Sequence, residues 1–92
     1  MRTSNNSHKK YIVSHKWSSR AGTFTDAACT WKSEDTAKYY IERLLRRHGM
    51  SEKELNSVVK KTLDRARIKH NARIGVEEAD YNFYITLKVR EH

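Results

Sequence analysis

Apolar and polar residues change their period several times along the chain, and each change marks an element. From Lys9 onward, Tyr11, Val13, His15 and Trp17 alternate with Ile12, Ser14 and Lys16. A two-residue period of this kind predicts a strand, although the apolar Ile12 blurs which side is buried. Ser18, Ser19, Arg20, Ala21 and Gly22 are turn-like, and Thr23 to Trp31 is rich in Thr and aromatic residues. A first hairpin is expected here.

The period then lengthens. Ser33 is a good N-cap, and Glu34 and Asp35 place negative charge at the positive end of the helix dipole. Ala37, Tyr40, Ile41, Leu44 and Leu45 recur along one helical face, and Gly49 supplies the left-handed residue that closes it, giving a helix over about 34–48. Ser51 and Glu54 form a capping box, with Met50 placed to pack on Leu55. Leu55, Val58, Val59, Thr62, Leu63 and Ala66 trace a second apolar stripe that ends near Arg67. Beyond it the two-residue period returns: Ile68, His70, Ala72, Ile74 and Val76 alternate with Lys69, Asn71, Arg73 and Gly75. After the acidic turn Glu77-Glu78-Ala79-Asp80, the sequence Tyr81, Phe83, Ile85, Leu87 and Val89 repeats it. The element order is ββααββ. It predicts an α+β fold, with a four-stranded, mostly antiparallel sheet and two amphipathic helices on one face. The other face is left to Trp17, Trp31 and Tyr84, and an aromatic surface of that kind calls for a partner or a second copy.

Composition narrows the class. Residues 1–8 are polar and small and are expected to form a flexible tail, leaving 9–92 as a single small domain. A chain of this length buries only about 60 to 65 per cent of its unfolded surface, so the core is thin. Cys29 is the sole cysteine and has no intramolecular disulfide partner, and the N-terminal residues lack the apolar stretch of a signal peptide. A cytoplasmic or nuclear location is expected, with no secretion. No apolar run approaches the roughly 18 residues that cross a bilayer, so no membrane association by spanning is expected.

Charge changes the picture most. The formal net charge is +8 with a pI near 9.8. Between Arg43 and Arg73 ten basic residues face three acids, Glu52, Glu54 and Asp64. Helical geometry places Lys53, Lys60 and Arg67 on one outer ridge of the second helix, with Lys61 and Arg65 on the other flank. On the first helix Tyr39, Arg43 and Arg47 fall four apart. With Arg46 and Lys69 these form a basic wall able to neutralise phosphates, and Tyr39 offers a ring for base stacking. Pairs such as Glu42 with Arg46 and Lys60 with Asp64 are expected to offset part of it.

The junction from Leu45 to Val58, with Gly49 at the turn and Leu45, Leu55 and Val58 packing the two helices, resembles a helix-turn-helix unit. With the flanking strands it resembles a winged helix, which implies 52–67 as recognition helix and 72–90 as wing. The chain departs from that family in carrying Leu45 at a usually small position, in lacking a helix before the first strand, and in the acidic tip Glu77-Glu78-Asp80.

His8, His15, His48, His70 and Cys29 show no metal-site spacing, so no metal and no cofactor is expected. His48 reads as a partly buried capping residue, and His70 as the inward set of a strand or a loop. The nearest acid to Cys29 is Asp26, and no nucleophile, base and orienting acid stand together in sequence. Trp17 and Trp31 read first as packing aromatics of the hairpin. The expected role is therefore that of a binding protein rather than an enzyme, a small basic regulator whose partner is DNA or RNA. The alternative is a modulator or inhibitor, of a kind that viruses and mobile elements encode, docking on an acidic or nucleic-acid-binding protein surface. A homodimer through the last strand or the aromatic sheet face is a further expectation.

Overall fold

Side-chain caps set the helix boundaries. The Ser33 hydroxyl accepts from the Thr36 amide at 3.2 Å, and the Ser51 hydroxyl from the Glu54 amide at 3.3 Å. Gly49, at φ 85°, lets the chain reverse between the helices in a conformation that other residues rarely adopt. The computed structural model describes residues 9–91, and the tail expected at 1–8 lies outside them. Its elements are β1 (Lys10–Ser19), β2 (Gly22–Trp31), α1 (Glu34–Arg47), α2 (Glu52–Lys69), β3 (Asn71–Glu77) and β4 (Tyr81–Arg90).

The α+β architecture is the expected one: a four-stranded antiparallel sheet in the order β2-β1-β4-β3, with both helices on one face. β1 and β4 form the centre and pair along their whole lengths, from Lys10 opposite Arg90 to Ser19 opposite Tyr81. The helical hairpin carries the chain from one sheet edge to the other. On the way α1 packs on β1 and β2, and α2 packs on β3 and β4. Ala37, Ile41, Leu44 and Leu45 of α1 meet Leu55, Val59, Leu63 and Ala66 of α2 over Val13, Ala72, Ile74, Phe83, Ile85 and Leu87 of the sheet.

Several sequence expectations are corrected by these placements. α2 runs on to Lys69, because nothing between Arg67 and Lys69 breaks a helix, and Ile68 is 78% exposed on it rather than facing inward from a strand. His70 then closes α2 in the left-handed conformation, at φ 60°, with its amide on the Ala66 carbonyl at 2.8 Å. The last strand is no edge: β4 lies between β1 and β3, so β2 and β3 are the strands with a free side. For the same reason 72–90 is no wing standing off a helical core. Trp17 and Trp31 face the helices. Trp17 stacks between His15 and Phe24 at 4.6 and 5.5 Å, and Trp31 leans on Tyr40 at 5.2 Å. Of the three expected surface aromatics, Tyr84 alone lies on the open face.

Leu55 is fully buried at the start of α2 and belongs to the core that helices and sheet share. Leu55→Ala should lower unfolding free energy by about 2–5 kcal/mol, read as a fall in urea midpoint at unchanged slope.

Candidate nucleic-acid interface

The ten helical candidates are all exposed, but they do not form one wall. Arg46 makes a bidentate pair with Glu52, at 2.8 and 3.0 Å, that clamps the last turn of α1 to the first turn of α2. Arg67 bonds Glu34 at 3.0 Å and Asp64 at 2.9 Å, tying the end of α2 to the start of α1. These pairings replace the expected Glu42–Arg46 and Lys60–Asp64 contacts, because antiparallel helices bring each terminus beside the opposite end of its neighbour. Both guanidiniums are committed to the fold. Tyr39 and Arg43 stand together, with the guanidinium carbon 6.0 Å from the ring centre. Lys60 lines the groove between the helices beside Glu42 and Asp64, whereas Lys61 and Arg65 border the opposite groove, between α2 and β3. Lys53 and Lys69 are exposed, and the charge of Arg47 falls on His48, Tyr40 and Tyr81.

The open sheet face carries its cations with fewer acids among them. Pairing registers sort its residues into rows: Thr25, Lys16, Tyr84 and Gly75; then Ser14, Thr86 and Arg73; then Thr30, Ile12, Lys88 and Asn71; then Lys10 and Arg90. Lys10, Lys16, Arg73, Lys88 and Arg90 are exposed, and none is ion-paired among the described residues. One carboxylate, Glu77, shares the face, at the end opposite Lys10 and Arg90, and it accepts a hydrogen bond from the Tyr84 hydroxyl. The Arg73 guanidinium carbon sits 4.1 Å from the centre of the Tyr84 ring. Together with Ser14, Lys16, Thr25 and Thr86 this pair lines a shallow depression of about 370 Å³. The signal was present in the sequence as the cations alternating with the apolar residues of β1 and β4. The longer basic run on the helices obscured it.

A second cluster lies under the sheet edge, on the helix side. Asp26, His15, His48 and Tyr81 form a continuous chain: His15 Nδ1 is 3.0 Å from the Asp26 carboxylate, His15 Nε2 is 2.7 Å from His48 Nε2, and His48 Nδ1 meets the Tyr81 hydroxyl. One arrangement of protons satisfies every atom, with Tyr81 donating to His48, His48 to His15, and His15 to Asp26. A bulge makes this possible. Between Cys29, opposite Val13, and Asp26, opposite His15, β2 carries one residue more than β1, which turns Asp26 onto the same face as Cys29. Strict alternation would have put it on the other side, so no sequence period could have linked it to His15. His48, as expected, caps α1 and is partly buried, stacked 3.8 Å from Phe83.

This chain is a poor proton relay for catalysis. Burial, and then the neighbouring His15 and Arg47, push His48 down to about 4. Burial also raises Tyr81 above its ordinary value. A base so weak does not take a proton from a phenol so weakly acidic. The cluster instead fixes the end of α1, through His48, to three strands. A histidine whose folded pKa lies below its unfolded value adds stability above pH 6.5, and loses it as pH falls toward about 4. Around His48 stand His15 from β1, Tyr81 and Phe83 from β4 and Arg47 from α1, with Asp26 of β2 reached through His15.

The melting temperature should therefore decline between pH 6.5 and 4, and His48→Gln, which keeps a donor for His15 but does not titrate, should flatten that decline in a calorimetric pH series. Comparison with known proteins finds no matching family model, curated protein or solved structure for this chain.

Proposed function

We propose that this protein binds nucleic acid, with phosphates contacted chiefly by the open sheet face and the helical cations adding long-range attraction. One observation carries the reading: among the described residues, five cations without an ion pair stand against one carboxylate on a sheet face that neither helix covers. Such a face disfavours a second copy of itself, because two like-charged surfaces repel. A polyphosphate relieves that repulsion, releasing counterions as it binds. The helical cations Arg43, Arg47, Lys53, Lys60, Lys61, Arg65 and Lys69, which form no ion pair among the described residues, extend the positive field around the molecule and steer a polyanion toward it. Arg46 and Arg67 contribute less, since each already holds a carboxylate of the chain.

Fluorescence anisotropy with labelled DNA and RNA tests the reading. Affinity should fall on the order of a hundredfold between about 50 and 200 mM salt, for roughly five phosphate contacts. The double variant Lys16→Glu with Lys88→Glu should weaken binding more than tenfold, and Lys60→Glu with Lys61→Glu should do so less. Absence of wild-type binding to any of these probes at the lower salt contradicts the proposal.

A further inference from the structure

We infer that the ligand of the open sheet face is an unpaired strand, with a base stacked at the Tyr84–Arg73 pair and its backbone running toward Lys88, Arg90 and Lys10. The inference rests on the nucleic-acid reading above and names the form of nucleic acid that the face fits.

Shape separates single strands from duplex. A major groove about 12 Å wide admits a helix or a two-stranded ribbon. Four strands about 4.8 Å apart span roughly 14 Å between the outer backbones alone, so this sheet does not enter one. Ser14 and Thr86 at the middle of the face are short, and the longer side chains around them, Lys16, Arg73 and Lys88, belong to separate strands rather than to one helix or ribbon that could enter a groove. What the face does offer is a shallow depression with the Tyr84 ring at its border.

That ring is held by a feature without an evident purpose in the fold. Gly75 lies on β3 directly opposite Tyr84, and the ring occupies the place where a side chain would be. A Cβ at Gly75 would come within 2.9 Å of Tyr84 Cδ1. Gly75 is not in the positive-φ region, so backbone conformation alone does not call for glycine there. The absent side chain lets the Tyr84 ring lie over the edge strand, and Arg73 brings a guanidinium against it at 4.1 Å. The guanidinium thus lies over the π surface of the ring, and a base stacking here meets a cationic plane backed by an aromatic one, a platform that tolerates any base.

Charge sets the direction. Glu77 holds the Tyr84 hydroxyl and repels phosphate from that end of the face. Successive rows along β4, about 6.7 Å apart, lead from Tyr84 through Thr86 to Lys88 and then to Arg90 beside Lys10. Lys16 stands beside Tyr84, Arg73 lies in the next row, and Lys88, Arg90 and Lys10 follow. The row on the other side, Thr23, Ser18, Asn82 and Glu77, carries no cation, so a strand anchored by one base at Tyr84 finds its phosphate contacts in one direction only.

The test compares an oligothymidine of about 12 nucleotides with a duplex of the same length, using the full chain at low salt. Wild type should prefer the single strand. Tyr84→Ala should lose about tenfold or more on the single strand, the effect of removing one stacked base, and change little on the duplex. Tyr84→Phe should keep the preference. Gly75→Ala, which displaces the ring without removing it or altering charge, should behave like Tyr84→Ala. Circular dichroism establishes that each variant is folded, and Tyr84→Leu, which keeps apolar cover over Gly75, takes the place of the alanine variant where that one is not. Equal losses on both probes, or a wild-type preference for duplex, overturn the single-strand site while leaving the nucleic-acid reading intact. Competition by polyglutamate as effective as by oligothymidine overturns both.

Discussion

Everything in this fold follows from unequal cover of one sheet. Two helices can shield one face of four strands and no more, so every apolar stripe in the chain must converge on that side. Val13, Phe83, Ile85 and Leu87 do so from the central strands, Ala72 and Ile74 from one edge, and the stripes of α1 and α2 close over them. The residues left on the far side must then be compatible with water, and here they are mostly hydroxyls, amides and cations, with Tyr84, Ile12 and the carboxylate of Glu77 among them. A thin core in a short chain leaves little room for compromise, since a small domain buries a modest share of its surface and depends on each fully covered side chain.

Polar contacts complete what apolar burial begins, and they do so at the ends of the helices. Arg46 with Glu52 joins the helices at Gly49, Arg67 with Glu34 and Asp64 joins them at the far end, and His48 ties the hairpin to the sheet through His15 and Tyr81. Exposed pairs contribute little stability individually. Their consequence here is for charge: two guanidiniums of the helical layer are neutralised by the fold's own carboxylates, while the cations of the open sheet face are not. The enclosed histidine pair is a further cost of the arrangement, offset by a hydrogen-bonded chain in which each ring nitrogen has a partner.

Local periodicity carried the architecture. The caps at Ser33 and Ser51, the reversal at Gly49 and the alternation of β4 are each decided within a few residues, and the element order follows from them. The misread positions are those settled by distant parts of the chain. Ile68 fits a strand period and a helix end equally well, and only the start of β3 at Asn71 decides between them. Trp17 and Trp31 belong to a face whose burial depends on where α1 lands, and Asp26 reaches His15 through a bulge that no period reveals. The basic residues were legible as a composition and not as a surface. Their ion pairs form between helix termini far apart in sequence, such as Glu34 and Arg67, and the sheet cations gather from three strands that pairing alone brings together.

The central claim is that one-sided burial makes the uncovered sheet face the contact surface for nucleic acid. Backbone amide chemical shifts followed by two-dimensional NMR during titration with an oligonucleotide test it most directly. The account predicts perturbations concentrated at Ser14, Lys16, Arg73, Tyr84, Thr86 and Lys88. Perturbations confined to α1 and α2, with these sheet amides unmoved at saturation, would contradict it.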